Sequence, residues 1–227
     1  MKRTTTLASM ALICLLASVS AHATLLTADT LAGETVIDFS DQADQYGVIG
    51  PVQLGAAVGE DVTVASSSAT NGLYFNYNGW GLLDNGTWGT PMKYVGLNGS
   101  ADSMLFAFND GPVSAVGGFM NYANYSFGVP NLFITAYNSS MQVLESYNLS
   151  LLADIVTPDG YNAGAFRGIQ TATNDISFFE VSGGLANTLT NLTFVTGPSN
   201  VPEPESLALV GLALAALGLT RRKFKHS

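Results

Sequence analysis

Cysteine occurs once in the 227 residues, at position 14, and histidine only at positions 22 and 226. Between the two ends the chain therefore offers neither thiolate nor imidazole. That removes disulfides, thiolate metal sites, the commonest general base and the commonest transition-metal ligand. A Ser-His-Asp triad cannot be assembled from what is left. Positive charge is equally scarce. From residue 24 to residue 200 only Lys93 and Arg167 are basic, against 15 Asp and Glu, a net charge of −13 where the whole chain carries −9. Such a segment repels phosphate backbones and anionic membrane surfaces, so no nucleic-acid partner is expected. Helical periodicity is missing too: nothing between the ends sustains a 3.6-residue apolar period with caps.

What is present in its place is short alternating strands and turns. Residues 35–39, 62–64, 104–108, 113–122, 132–137, 142–147, 176–181 and 189–195 read as strands, with Asn138-Ser139-Ser140 as the turn of a hairpin. Asn-Gly or Asp-Gly pairs begin at Asn71, Asn78, Asn85, Asn98, Asp110 and Asp159, and these are strong short-range turn signals. Residues 24–200 suffice for one domain with a sizeable core. The expected fold is all-β: a single β-sandwich of jelly-roll or Greek-key type.

The two ends are not part of that fold. Lys2 and Arg3, an apolar run from Leu7 to Val19, and Ala21-His22-Ala23 form a secretory signal peptide over residues 1–23, cut by signal peptidase so that the mature chain begins at Thr24. At the other end, over residues 201–227, Val201-Pro202-Glu203-Pro204 precedes an apolar stretch from Leu207 to Leu219, then Arg221, Arg222, Lys223 and Lys225. As a helix that stretch is about 20 Å long, short of the ~30 Å hydrocarbon core of a bilayer. Flanking and snorkelling side chains extend its reach. It reads as a transmembrane helix that anchors the precursor in the inner membrane, with the basic cluster in the cytoplasm.

This three-part tail resembles the PEP-CTERM sorting signal of Gram-negative bacteria. The resemblance implies an exosortase as processing partner, a transient membrane anchor removed near Pro202-Glu203-Pro204, and an exported product at the cell surface or in the extracellular matrix, associated with exopolysaccharide. The preceding domain resembles the β-sandwiches found ahead of such tails in residues 166–169, 176–179 and 192–194. It departs from them before the last strand, where Asn187 and Asn191 stand in place of acidic residues.

Three groups of residues are candidates for chemistry. Trp80 and Trp88 lie in a Gly/Asn-rich region with Tyr74, Phe75, Tyr77 and Tyr94; as loop aromatics the tryptophans and Tyr77 would stack on sugars, and otherwise they pack the core. Asp38, Asp41 and Asp44 fall within seven residues, a weak Ca²⁺ candidate lacking the EF-hand pattern, with a solvated acidic loop as the plainer reading. The remaining carboxylates could in principle supply the pair a glycoside hydrolase needs, yet no local motif nominates one. The expectation is therefore a non-catalytic structural protein without a cofactor. A glycan-binding module is the alternative, and a carboxylate-based hydrolase a distant third.

Overall fold

The computed structural model describes residues 23–89, 92–124, 130–157 and 160–197. The expected signal peptide and the sorting segment, with Val201, Pro202, Glu203, Pro204 and the basic cluster, lie outside the described residues. So does Asp159 of one expected turn. Among the described residues no helix is long and apolar enough to cross a membrane.

The described chain is built of short strands: β1 (Thr24–Leu26), β2 (Thr35–Ile37), β3 (Gln45–Val48), β4 (Val52–Leu54), β5 (Val62–Ser66), β6 (Leu73–Phe75), β7 (Trp80–Gly81), β8 (Thr87–Trp88), β9 (Val95–Leu97), β10 (Ser103–Phe108), β11 (Ala115–Ala123), β12 (Leu132–Tyr137), β13 (Val143–Asn148), β14 (Ala165–Gln170), β15 (Phe178–Gly183) and β16 (Leu185–Val195). One helical turn, α1 (Leu149–Leu152), follows β13. The larger sheet runs β1-β14-β11-β16-β9-β6-β3, with β2 also paired to β16, and the smaller runs β13-β12-β15-β10-β5-β4. Neighbouring strands in both are antiparallel. The expected hairpin at Asn138-Ser139-Ser140 is the β12–β13 connection.

Alternation along the strands builds one core between these sheets. Met104, Phe106 and Phe108 project from β10, and Leu189, Leu192 and Phe194 from β16, all into the same buried cluster. Phe108 and Phe194, from opposite sheets, bring their rings to 5.2 Å. Each such side chain contributes roughly 1.5–3 kcal/mol through the apolar area it removes from water.

The larger sheet is covered on its second face as well. The β7–β8 hairpin pairs Trp80 with Trp88, and these pack with Leu82, Tyr94, Ala123 and Ala186 in a separate buried cluster. Burial on both faces explains why β11 reads as a near-continuous apolar or small-residue run rather than strict alternation, while β16 buries Asn187, Thr188, Thr190 and Thr193 among its apolar residues.

Buried polar side chains fasten this cover. Asn85 Nδ2 donates to the carbonyls of Tyr122 (3.0 Å) and Ile155 (2.9 Å), while its Oδ1 accepts from the Thr157 amide at 3.2 Å. Asn121 Nδ2 donates to Thr157 Oγ1 and Asn162 Oδ1, both at 2.8 Å. Arg167, buried, donates to the backbone carbonyls of Ala153, Phe166 and Asp154 at 2.7–2.8 Å. Its guanidinium is thus committed to the backbone, not presented to an anionic ligand.

Four phenols are held in their neutral form. Burial, and then Glu180, push Tyr137 up to about 12; its hydroxyl donates to Glu180 at 2.5 Å. Burial also raises Tyr94, Tyr122 and Tyr147 above the ordinary phenol value. A group whose folded pKa exceeds its unfolded one, about 10 for tyrosine, supports the fold fully below that pH. The contribution is lost as pH climbs towards the folded value. Melting temperature should accordingly fall between about pH 10 and 12, with tyrosinate absorbance lagging behind that of the unfolded chain. A native fold whose tyrosines all ionise together near pH 10 would contradict this.

Candidate functional site

The structure separates the aromatic residues that the sequence grouped. Trp88 is fully buried and Trp80 is 7 % exposed. Trp80 Nε1 donates to the Ala186 carbonyl at 3.0 Å, and the ring of Trp88 packs edge-on to Tyr94 at 6.1 Å. Trp88 therefore offers no face to a sugar and is corrected to the core, because the hairpin that carries it folds down over the larger sheet. Trp80 forms the floor beneath a surface made by other residues.

That surface consists of tyrosines. Tyr77 is 42 % exposed and Tyr46 is 58 % exposed. Tyr46, on β3, stands opposite half-buried Tyr74 of β6. The three rings touch one another, with centroids 5.3 Å apart for Tyr46–Tyr77 and 6.2 Å for each remaining pair. Trp80 lies 4.9 Å from Tyr74 and 5.8 Å from Tyr77. Tyr94 anchors the group by donating its hydroxyl to the Tyr77 carbonyl at 2.5 Å. Of this surface Tyr74 and Tyr77 stood in the aromatic region that the sequence singled out, and Tyr46 did not. The available signal for Tyr46 was its place opposite Tyr74 on a neighbouring short strand, which is visible only once the register is known.

Beside the tyrosines lies a cleft of about 420 Å³ walled by Asp38, Lys93, Phe119, Thr190 and Asn191. Lys93 ties the two features together: it lines the cleft, and its ammonium reaches Asp44, two residues before Tyr46, at 3.5 Å. The pair is exposed at both ends and adds little to stability. Asp38 is kept below the usual carboxylate range by the hydroxyl and amide of Ser40. A smaller cleft, about 260 Å³, is also lined by Asp38 and includes Asp41.

Asp38, Asp41 and Asp44 do not converge. Asp38 accepts from the Ser40 amide, Asp41 from Gln42 Nε2, and Asp44 from Lys93. Among the described residues no three acidic side chains gather at metal-binding range. The Ca²⁺ candidate is corrected on this ground: the three lie along a loop that leaves β2, and each turns to a different neighbour.

Comparison with known proteins decides the C-terminal segment. Residues 200–223 match the family model for the PEP-CTERM protein-sorting motif. The tail is a PEP-CTERM sorting motif. It is the C-terminal signal of exosortase substrates, and it marks the chain for export and membrane-anchored sorting in a Gram-negative bacterium. No curated protein matches the chain. Among solved structures it is similar to the CBM51-2 and INT domains of ZmpB from Clostridium perfringens, with 8 % identity and a TM-score of 0.35. That match covers 72 % of this chain and 40 % of the other, so the PEP-CTERM chain spans well under half of the relative's length.

Proposed function

We propose that the mature protein is a non-catalytic β-sandwich of the cell surface or extracellular matrix that makes its contact with exopolysaccharide through Tyr46, Tyr74 and Tyr77. The observation that carries this reading is the exposed tyrosine surface. Three touching rings, inclined to one another by 49°, 80° and 87° and backed by a tryptophan, give a partly exposed aromatic face that carries phenol hydroxyls. Such a face suits the axial C–H surface of a pyranose, while the hydroxyls serve its polar edge. A non-catalytic role fits a domain whose sequence holds no imidazole or thiol and whose Arg167 is committed to backbone carbonyls. A jelly-roll variant of the sandwich accords with the chain crossing between the two sheets at most connections after β9.

Binding is tested by electrophoresis of the exported protein in gels containing the host's exopolysaccharide. The double variant Tyr46→Ala, Tyr77→Ala should lose about 5–150-fold in affinity, taking the worth of a stacked ring from aromatic–base stacking. Equal migration of the variant and the unaltered protein, with or without polysaccharide, would refute the tyrosine surface as a glycan contact. Intact-mass measurement on the same material should give a chain that starts at Thr24 and lacks Arg221 to Lys225. A mature species retaining those basic residues would count against tail removal.

A further inference from the structure

We infer that the cleft around Asn191 is a second sugar subsite, which takes one uncharged pyranose unit of the polysaccharide that the tyrosine surface stacks. This deepens the glycan-contact reading and rests on it. At Asn191 the central strand β16 bulges against β11: the register passes from Gly117 opposite Thr193 to Phe119 opposite Thr190, so that Asn191 and Leu192 together face Gly118. Asn191 holds the left-handed conformation there, with φ 49°. Glycine adopts that conformation more readily than any other residue, and bulges re-aim side chains beside functional sites. An asparagine in its place lines the cleft with a carboxamide that makes no hydrogen bond among the described residues.

The other walls complete the chemistry of a hydroxyl-bearing ring. Phe119 is half-buried, held edge-on by Phe166 at 5.6 Å, and supplies an apolar wall. Asp38 supplies an ionised acceptor, Lys93 a donor, and Asn191 both. The volume, about 420 Å³, falls within the usual range of small-ligand sites. Lys93 lines the cleft and pairs with Asp44, two residues before Tyr46, so successive units of one polymer can occupy both cleft and tyrosine surface. Charge selects the class: Lys93 is already neutralised by Asp44, Asp38 faces the cleft, and residues 24–200 carry a net −13. Uronate polymers are repelled, and neutral hexose polymers are accepted.

The substitution Asn191→Gly removes the carboxamide while relieving the backbone. Calorimetric titration of the exported protein with neutral hexose oligosaccharides should show about 3- to 10-fold weaker binding for Asn191→Gly, the effect of one or two hydrogen bonds. Its melting temperature should stay equal or rise, since glycine suits the left-handed bulge. Oligouronates should bind more weakly than neutral oligomers to the unaltered protein. Neutral-sugar affinity unchanged in Asn191→Gly, while Tyr46→Ala still loses binding, overturns the subsite and leaves the tyrosine surface standing. Preference for oligouronates overturns the assigned class. Absence of binding by the unaltered protein to any of these sugars overturns the subsite together with the reading beneath it.

Discussion

Trp88→Ala should lower the stability of the domain by about 3–5 kcal/mol, the cost of removing a large aromatic side chain from a packed interior. For a domain of this size that corresponds to a fall in melting temperature of roughly 6–20 °C. Trp88 has no exposed surface, and it is pressed on one side by Tyr94 at 6.1 Å. On another side the backbone lies so close that a methyl group on Gly164 would stand 2.8 Å from the indole. Neither neighbour can move in to fill the void. The indole nitrogen has no hydrogen-bond partner among the described residues, so Trp88→Phe, which keeps a ring and discards an unpaired donor, should cost much less. Tyr46→Ala, at a position 58 % exposed, should shift stability by no more than about 0.5 kcal/mol. Circular-dichroism melts of the three variants measure this order. A Trp88→Ala protein that melts with the unaltered one would place the indole outside the core.

Asn85→Asp should be comparably damaging, and its effect should depend on pH. The substitution exchanges the donating amide, which serves the carbonyls of Tyr122 and Ile155, for an oxygen that faces both. Two buried hydrogen bonds become acceptor–acceptor contacts, and a carboxylate is buried without a cation, a change on the order of 3–5 kcal/mol. The new carboxyl is held above its unfolded value by burial and by those carbonyls, so it is favoured only when protonated. Stability relative to the unaltered protein should therefore recover as pH falls and worsen as it rises through neutrality. Urea midpoints at pH 5 and pH 8 provide the test. A deficit identical at both would mean that the side chain has swung out to solvent.

These two residues also mark what the sequence could and could not disclose. The longer strands were legible because alternation over five or more residues leaves little ambiguity, and residues 104–108 and 132–137 sit where the pattern puts them. Strands of three or four residues, such as β1, β3, β4, β6 and β9, are too short to display a period. Asn85 was readable as a turn residue next to Gly86. Its role as the fastening of a distant loop depends on contacts 37 and 70 residues away. The two tryptophans stood out as large rings amid turn residues, the same local setting that a binding loop would give them. Only the second covered face of the larger sheet distinguishes the cases. Asp38, Asp41 and Asp44 were close in sequence, yet a loop lets each carboxylate find its own partner. The sorting tail was the reverse: its meaning lies in a linear order of proline, apolar stretch and basic cluster, and no tertiary knowledge was needed.

The topology also orders events during export. The strand at the centre of the larger sheet, β16, is the last made among the described residues, and it pairs with β11, β9 and β2. At the first end, β1 waits for β14, some 140 residues later in the chain. Neither early strand can dock while its partner is still unsynthesised or still inside the translocation channel. The larger sheet therefore stays open through nearly the whole passage and closes only when residues 185–195 emerge, immediately ahead of the hydrophobic tail. Long-range pairing of this kind is intrinsically slow, which keeps the chain threadable until secretion is almost complete.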